Sequence, residues 1–264
     1  MRIAILPLET LLLQTRPEPG IVKWTLNRPE AFNALSEDML TALAEALQSI
    51  ESDRTTKVVI IEALGKAFCA GHDLKEMRAD PSLQYYETLF ARCSEIMLLI
   101  QRIPQTVIAQ VQGVATAAGC QLVAMCDLAV SSNKAKFAVS GVNLGLFCAT
   151  PSVALSRNIH RKQAMYLLLT GDFIDADQAC AWGLVNEVVD AEGLEQATLL
   201  MARKIAAKPF VALQAGKKLF YRQIESNIQQ AYQLASQTMA CNMMDDSALE
   251  GVQAFIEKRP PDWR

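Results

Sequence analysis

A chain of 264 residues, 51% of them apolar, is long enough to bury one large core or two small ones. Its net charge of −3, with the signs interspersed, excludes the basic face that nucleic acid or an anionic membrane requires. Seven scattered cysteines without a CxxC pair, and only two histidines, exclude a disulfide scaffold and a His-rich metal site.

The apolar start at Met1 is broken by Pro7 and Glu9, too early for a signal h-region, and no repeated arginines and serines mark a transit peptide. No apolar run reaches the ~18 residues of a membrane span. A soluble cytoplasmic protein is the expectation. Leu8–Thr15 and Ile21–Leu26 read as strands joined by the turn Arg16-Pro17-Glu18-Pro19-Gly20. Ser36 caps a helix whose Met39, Leu40, Leu43, Leu47 and Ile50 keep helical period. Val58–Glu62 is a buried strand, Tyr85–Arg102 a long helix, Val107–Val111 a third buried strand and Leu128–Ser131 a fourth. From Pro151 onward the pattern is helical, punctuated at Gly171 and Gly183. Strand–helix–strand alternation implies right-handed parallel crossovers. We expect an α/β core over residues 1–199 and a helical C-terminal subdomain over residues 200–264.

There is no GxGxxG, GxxxxGK[ST] or HExxH pattern, so the common phosphate cradles and the zinc helix are missing. Ser140, in Ala138-Val139-Ser140-Gly141-Val142, lacks the flanking glycines of a nucleophile elbow.

Two segments carry the functional reading, and each directly follows a strand. Lys66–Lys75 includes Ala70 and Gly71, small enough for a ligand to approach the backbone, and Asp73, placed to cap the next helix. Gly113–Gln121 is a run of Gly and Ala leading into a helix N-terminus, where N–H groups are unpaired.

Together these segments resemble the crotonase (enoyl-CoA hydratase/isomerase) superfamily. The resemblance extends to Leu26-Asn27-Arg28-Pro29-Glu30-Ala31-Phe32-Asn33-Ala34-Leu35, to Ala124-Met125-Cys126-Asp127, to Leu169-Thr170-Gly171 with Gly183-Leu184-Val185, and to Phe255-Ile256-Glu257-Lys258-Arg259. It implies a crotonase (ClpP-like) spiral of ββα units with a helical C-terminal trimerisation subdomain. It implies coenzyme A thioesters as ligand, no covalent cofactor, no metal, and self-association as a trimer or a dimer of trimers. By the same resemblance, the thioester carbonyl would lie between the backbone N–H groups of His72 and Ala118. Such preorganised donors are each worth on the order of 10²–10³ in rate. Coenzyme A would run along Ala31, Phe32, Ala70, Asp73 and Leu74, and a neighbouring subunit's Phe255 and Lys258 would meet its nucleotide end.

The departures from the family pattern are as informative. Hydratases of this family use two glutamates; the matching positions here are Gln121 and Gly141. Neither residue exchanges a proton near neutral pH, and each lost acid–base group costs ~10²–10⁴ in rate. Relatives that isomerise dienes place an acid where this chain has Ala149, and Asn143 nearby does not titrate. The remaining candidates are His72, Cys148, Asp80, Glu87, Tyr85 and Tyr86. Gly119-Cys120-Gln121, Gly71-His72-Asp73-Leu74 and Gly145–Pro151 resemble the branch of enoyl-CoA hydratase domain-containing protein 3. The expectation is an acyl-CoA enzyme of decarboxylase or thioester-hydrolase type. A non-catalytic acyl-CoA-binding protein and a hydratase with another base are the alternatives.

Overall fold

The computed structural model describes residues 8–263, so the apolar start at 1–7 lies outside the described residues. Leu12–Glu18 (β1) and Ile21–Leu26 (β2) form an antiparallel hairpin that turns at Pro19-Gly20, with Gly20 at φ +78°. The expected strand start at Leu8 is corrected: Leu8–Leu11 is a helical turn. The last pair of the hairpin is Leu12 with Leu26, so residues before Leu12 have no strand to join. Asn27 holds the turn instead, its backbone N–H donating to the Leu11 carbonyl and its side-chain amide to the Thr10 carbonyl.

Beyond the hairpin the chain repeats one unit. Val58–Ala63 (β3) and Ala67–Cys69 (β4) lead to the helix Leu83–Arg102. Thr106–Val111 (β5) and Val114–Thr116 (β6) lead to Ala118–Met125, and Leu128–Ser132 (β7) and Lys136–Ala138 (β8) lead to Ala149–Asn158. Ile174–Asp175 (β9) and Glu187–Val189 (β10) complete the strands. The first strand of each unit joins a six-stranded sheet ordered β1-β2-β3-β5-β7-β10, and the second joins a four-stranded sheet ordered β4-β6-β8-β9. Pairing is parallel from β2 to β10 and from β4 to β8. This is the ββα spiral that the resemblance implied.

Apolar side chains of the large sheet pack against helices on both faces. Val22, Trp24, Val59, Ile61, Val107 and Ala109 face the main core under Glu37–Ile50 and Leu83–Arg102. Their neighbours Ile21, Val58, Ile60, Ile108 and Val130 face the helix Leu194–Ala206. The 199/200 boundary falls inside that helix.

Three further helices follow. Phe210–Ile224 buries no residue, and Ile228–Met243 and Asp246–Ile256 bury one alanine each. The first is tethered to the core by Lys217, which donates to the Ile100 and Gln105 carbonyls and to Asp127, and by Tyr221, whose hydroxyl donates to the other Asp127 oxygen. Ile228, Tyr232, Met239, Met244, Phe255 and Ile256 remain exposed. Among the described residues no helix is long and apolar enough to cross a membrane.

Candidate active site

The small sheet sets the site. Parallel pairing of β4 with β6 carries the chain after Cys69 and the chain after Thr116 to the same sheet end. The two turns touch there. A Cβ built on Gly71, whose φ is +92°, would lie 2.9 Å from Ala117 Cβ and 3.3 Å from Ala118 N, and one built on Gly119 would lie 2.0 Å from the Cys69 carbonyl oxygen. Only glycine allows that approach at either position. Leu35 donates its N–H to the Gly71 carbonyl, and Asp73 donates to the Leu35 carbonyl, so the intervening His72 N–H points away from this ladder. Ala118 is the first residue of its helix, where an N–H has no partner four residues back. Neither N–H has a hydrogen-bond partner among the described residues. Ala117, at φ 50° and ψ −122°, holds the second turn in a backbone region that a Cβ disfavours.

These turns open on a pocket of about 200 Å³ whose walls include Ala70, His72, Ala118, Gly141, Cys148 and Ala149, with Leu74, Met77, Phe90, Leu144 and Phe147 as its apolar side. Among the described residues, no Asp, Glu, Lys or Arg lines it. The His72 ring stands edge-on to Phe90, with centroids 5.4 Å apart, and both ring nitrogens are buried without a hydrogen-bond partner. Burial pushes its pKa down to about 4. The Leu35 backbone acts in the opposite sense, more weakly than burial. Burial likewise raises the Cys148 thiol, against the weaker pull of the Gly141 N–H. His72 is therefore neutral and Cys148 a thiol at physiological pH.

A family model described as enoyl-CoA hydratase/isomerase matches residues 16–264. The chain belongs to the enoyl-CoA hydratase/isomerase family. It is 45% identical over 256 residues to the mouse "enoyl-CoA hydratase domain-containing protein 3, mitochondrial", covering 97% of this chain and 85% of that one. An enoyl-CoA hydratase structure from Mycobacterium smegmatis is 62% identical with a TM-score of 0.95, over 96% of this chain and 98% of that one. The crystal structure of human enoyl-CoA hydratase domain-containing protein 3 is 42% identical with a TM-score of 0.90, over 96% and 100%. The cytoplasmic expectation is overturned here. The relatives from mouse, rat, Xenopus laevis, Danio rerio and human are all named mitochondrial, which points away from the cytoplasm.

The two positions expected to replace the family's glutamates differ in their surroundings. Gln121 lies one helical turn beyond Ala118; it is buried, its Oε1 has no partner, and it is not part of the pocket wall. Gly141 does line the pocket, but a Cβ there would lie 2.6 Å from both Cys148 Sγ and the Leu146 carbonyl oxygen. The space a side chain would enter is filled. Asn143 reaches away to the Gly171 carbonyl at 3.3 Å. Asp80 and Glu87 are exposed and outside the pocket wall. Tyr86 donates its hydroxyl to the Met77 carbonyl at 2.9 Å, and Tyr85, pushed up to about 12 by burial and by the carboxylate of Glu37, does not line the pocket.

The residues expected along coenzyme A form one rim. Ala31 closes the turn Pro29–Ala31, and Phe32, at φ 51°, accepts the Ala70 N–H on its carbonyl at 3.1 Å. Phe32 and Leu74 are each 54% exposed beside that contact. Asp73 caps the helix Leu74–Ala79 and pairs with Arg28 at 2.9 Å. Burial would raise its pKa, but the Arg28 hydrogen bond and charge hold it below the usual carboxylate range. Asn33 is the residue sequence reasoning gave no role. Fully buried at φ 54°, it donates to the Leu64 and Ala67 carbonyls and accepts the Arg28 N–H, tying this rim to β3 and β4. A polar, left-handed-tolerant residue inside an apolar motif was the available signal. Phe255 lies in a separate groove with Pro209, Ala212 and Trp263, and neither it nor Lys258 lines this pocket.

Proposed function

We propose that this protein binds an acyl-CoA thioester with its carbonyl oxygen between the His72 and Ala118 N–H groups and stabilises the oxyanion formed there, an enolate in decarboxylation or a tetrahedral adduct in thioester hydrolysis. The observation that carries this reading is the pair of unpartnered N–H groups on touching turns, at the mouth of a pocket without a carboxylate. The reaction is of decarboxylase or thioester-hydrolase type rather than hydration. Loss of carbon dioxide from a malonyl-type thioester needs an electron sink more than a base, and two dipoles aimed at the oxygen supply it. Syn hydration needs one group to activate water and one to deliver a proton. A neutral imidazole held down to about 4 is a weak base for that work.

The coenzyme would lie along the Ala31–Phe32 and Ala70–Leu74 rim. The exposed apolar faces of residues 210–256 support assembly into trimers or pairs of trimers, which would bring Phe255 and Lys258 of one copy to the coenzyme of another. The absence of any carboxylate from the pocket wall also favours a second reading, acyl-CoA binding without turnover.

Turnover and binding heat measured side by side with malonyl-CoA, crotonyl-CoA and long-chain acyl-CoAs test this. The expected result is binding, with loss of malonyl-CoA or release of free coenzyme A. Binding without any turnover supports the second reading, and rapid loss of the enoyl absorbance of crotonyl-CoA would overturn the exclusion of hydration.

A further inference from the structure

Five arginines of this chain, Arg16, Arg28, Arg157, Arg203 and Arg259, each hold a carboxylate at 3.2 Å or less. A hollow of about 630 Å³ gathers cations without such partners. Arg54, Arg102, Lys218 and Arg222 line it, against one carboxylate, Glu51. Glu51 stands 3.9 Å from Arg102 Nε, beyond hydrogen-bond reach, and among the described residues Arg54, Lys218 and Arg222 form no ion pair. Asp127 nearby is already held by Lys217 and Tyr221, and Asp245, across the adjoining groove, accepts from Ser247. Arg54 is kept in place by neutral groups: it donates to Gln214 at 3.1 Å and lies 5.5 Å over the Phe210 ring.

Helix ends explain part of this. Arg102 and Arg222 stand in the last turns of Leu83–Arg102 and Phe210–Ile224, where exposed carbonyls favour a cation. They do not explain Lys218, since like charges four residues apart on a helix repel, or Arg54, which comes from the loop before β3. At ~100° per residue, Lys218 and Arg222 stand to one side of the core-facing Lys217 and Tyr221, and the apolar Phe220 and Ile224 to the other. The hollow therefore lies off the apolar flank of that helix. It also lies at the opposite end of the large sheet from the thioester rim. Arg54 and Pro104 precede β3 and β5, whereas Ala31 and Ala70 follow β2 and β4. A strand of six residues puts about 20 Å between those ends.

We infer that this hollow binds a multivalent phosphate anion, such as the diphosphate of a nucleotide, at a site separate from the thioester pocket. Guanidinium forks match phosphate oxygens in pairs, and a bound anion removes the repulsion between Lys218 and Arg222. Leu98, 60% exposed in the same wall, gives an organic group attached to the phosphates a surface to lie on.

The test is calorimetric titration of the full chain with inorganic pyrophosphate and with ADP, against potassium chloride at equal ionic strength. Saturable binding of pyrophosphate is expected. Lys218→Gln combined with Arg222→Gln is expected to weaken it about tenfold or more. Arg161→Gln combined with Lys162→Gln removes the same charge from another exposed helix and is expected to leave it unchanged. ADP binding more tightly than pyrophosphate assigns the phosphates to a nucleotide; otherwise the ligand is a free diphosphate. No heat beyond that of chloride, or equal weakening by both double variants, overturns the inference. Butyryl-CoA should bind the Lys218→Gln, Arg222→Gln chain as it binds the wild type. A parallel loss of butyryl-CoA affinity would make the hollow part of the coenzyme's own site and overturn the inference as well.

Discussion

Acidification should destabilise this protein through His72 by a definable amount. The ring's pKa is about 4 in the folded chain against an ordinary value of 6.5, and burial is the main cause. Because the folded value is the lower one, the unfolded chain takes up the proton first as pH falls. Stability from this residue is therefore at its plateau above about pH 6.5 and is lost as pH falls toward 4. Integrated across the window the loss approaches ~3 kcal/mol, and at pH 5 it is about 2 kcal/mol. Urea midpoints of the wild type and His72→Gln, taken at one protein concentration from pH 7.5 to pH 5, isolate the effect, since carboxylates elsewhere titrate alike in both. The wild type should lose about 2 kcal/mol more than the variant over that range. Parallel curves would refute the claim that burial desolvates the ring.

Replacing Gln121 and Gly141 together by glutamate should not restore hydration of crotonyl-CoA, because a side chain at 141 collides with Cys148 Sγ and the Leu146 carbonyl 2.6 Å from its Cβ. The double variant should also be about 1–3 kcal/mol less stable in denaturant, as overpacking predicts; a hydratase-like rate would refute this. Asn33→Ala removes the donors to the Leu64 and Ala67 carbonyls and the acceptor for Arg28 N–H. It should cost about 2–4 kcal/mol in thermal or denaturant unfolding. Lys217→Met leaves Asp127 buried without its ammonium partner and should cost about 3–5 kcal/mol, whereas Tyr221→Phe, losing one hydrogen bond, should cost about 1 kcal/mol. Equal effects of those two variants would show that the charge on Lys217 does not matter.

Local pattern carried the strands and helices well wherever one face met one core. Ser36 caps Glu37–Ile50 as its spacing demands, with its side chain accepting the Met39 N–H. Val58–Ile61 reads as a continuous apolar run because both of its faces are covered. Reading failed at Leu8–Leu11, where apolar composition suits either a strand or a turn of helix, and only the end of the hairpin register at Leu12 with Leu26 decides between them. The role of Asn33 was hidden for a similar reason, since its partners lie about 30 residues away in the chain, at Leu64 and Ala67.

The sequence by itself determined the family and the two Gly/Ala-rich turns, and it led to the expectation that Gln121 and Gly141 stand where the family's glutamates would be, because these are matters of residue identity and order. Tertiary structure decided what those identities mean. Parallel pairing of β4 and β6 brings Gly71 against Ala117 and leaves two N–H groups unpaired at one pocket. Packing around residues far apart in the chain puts Cys148 into the space beside Gly141 and desolvates the His72 ring. Contact and desolvation depend on which distant atoms the fold brings within a few ångströms, and no local pattern encodes that.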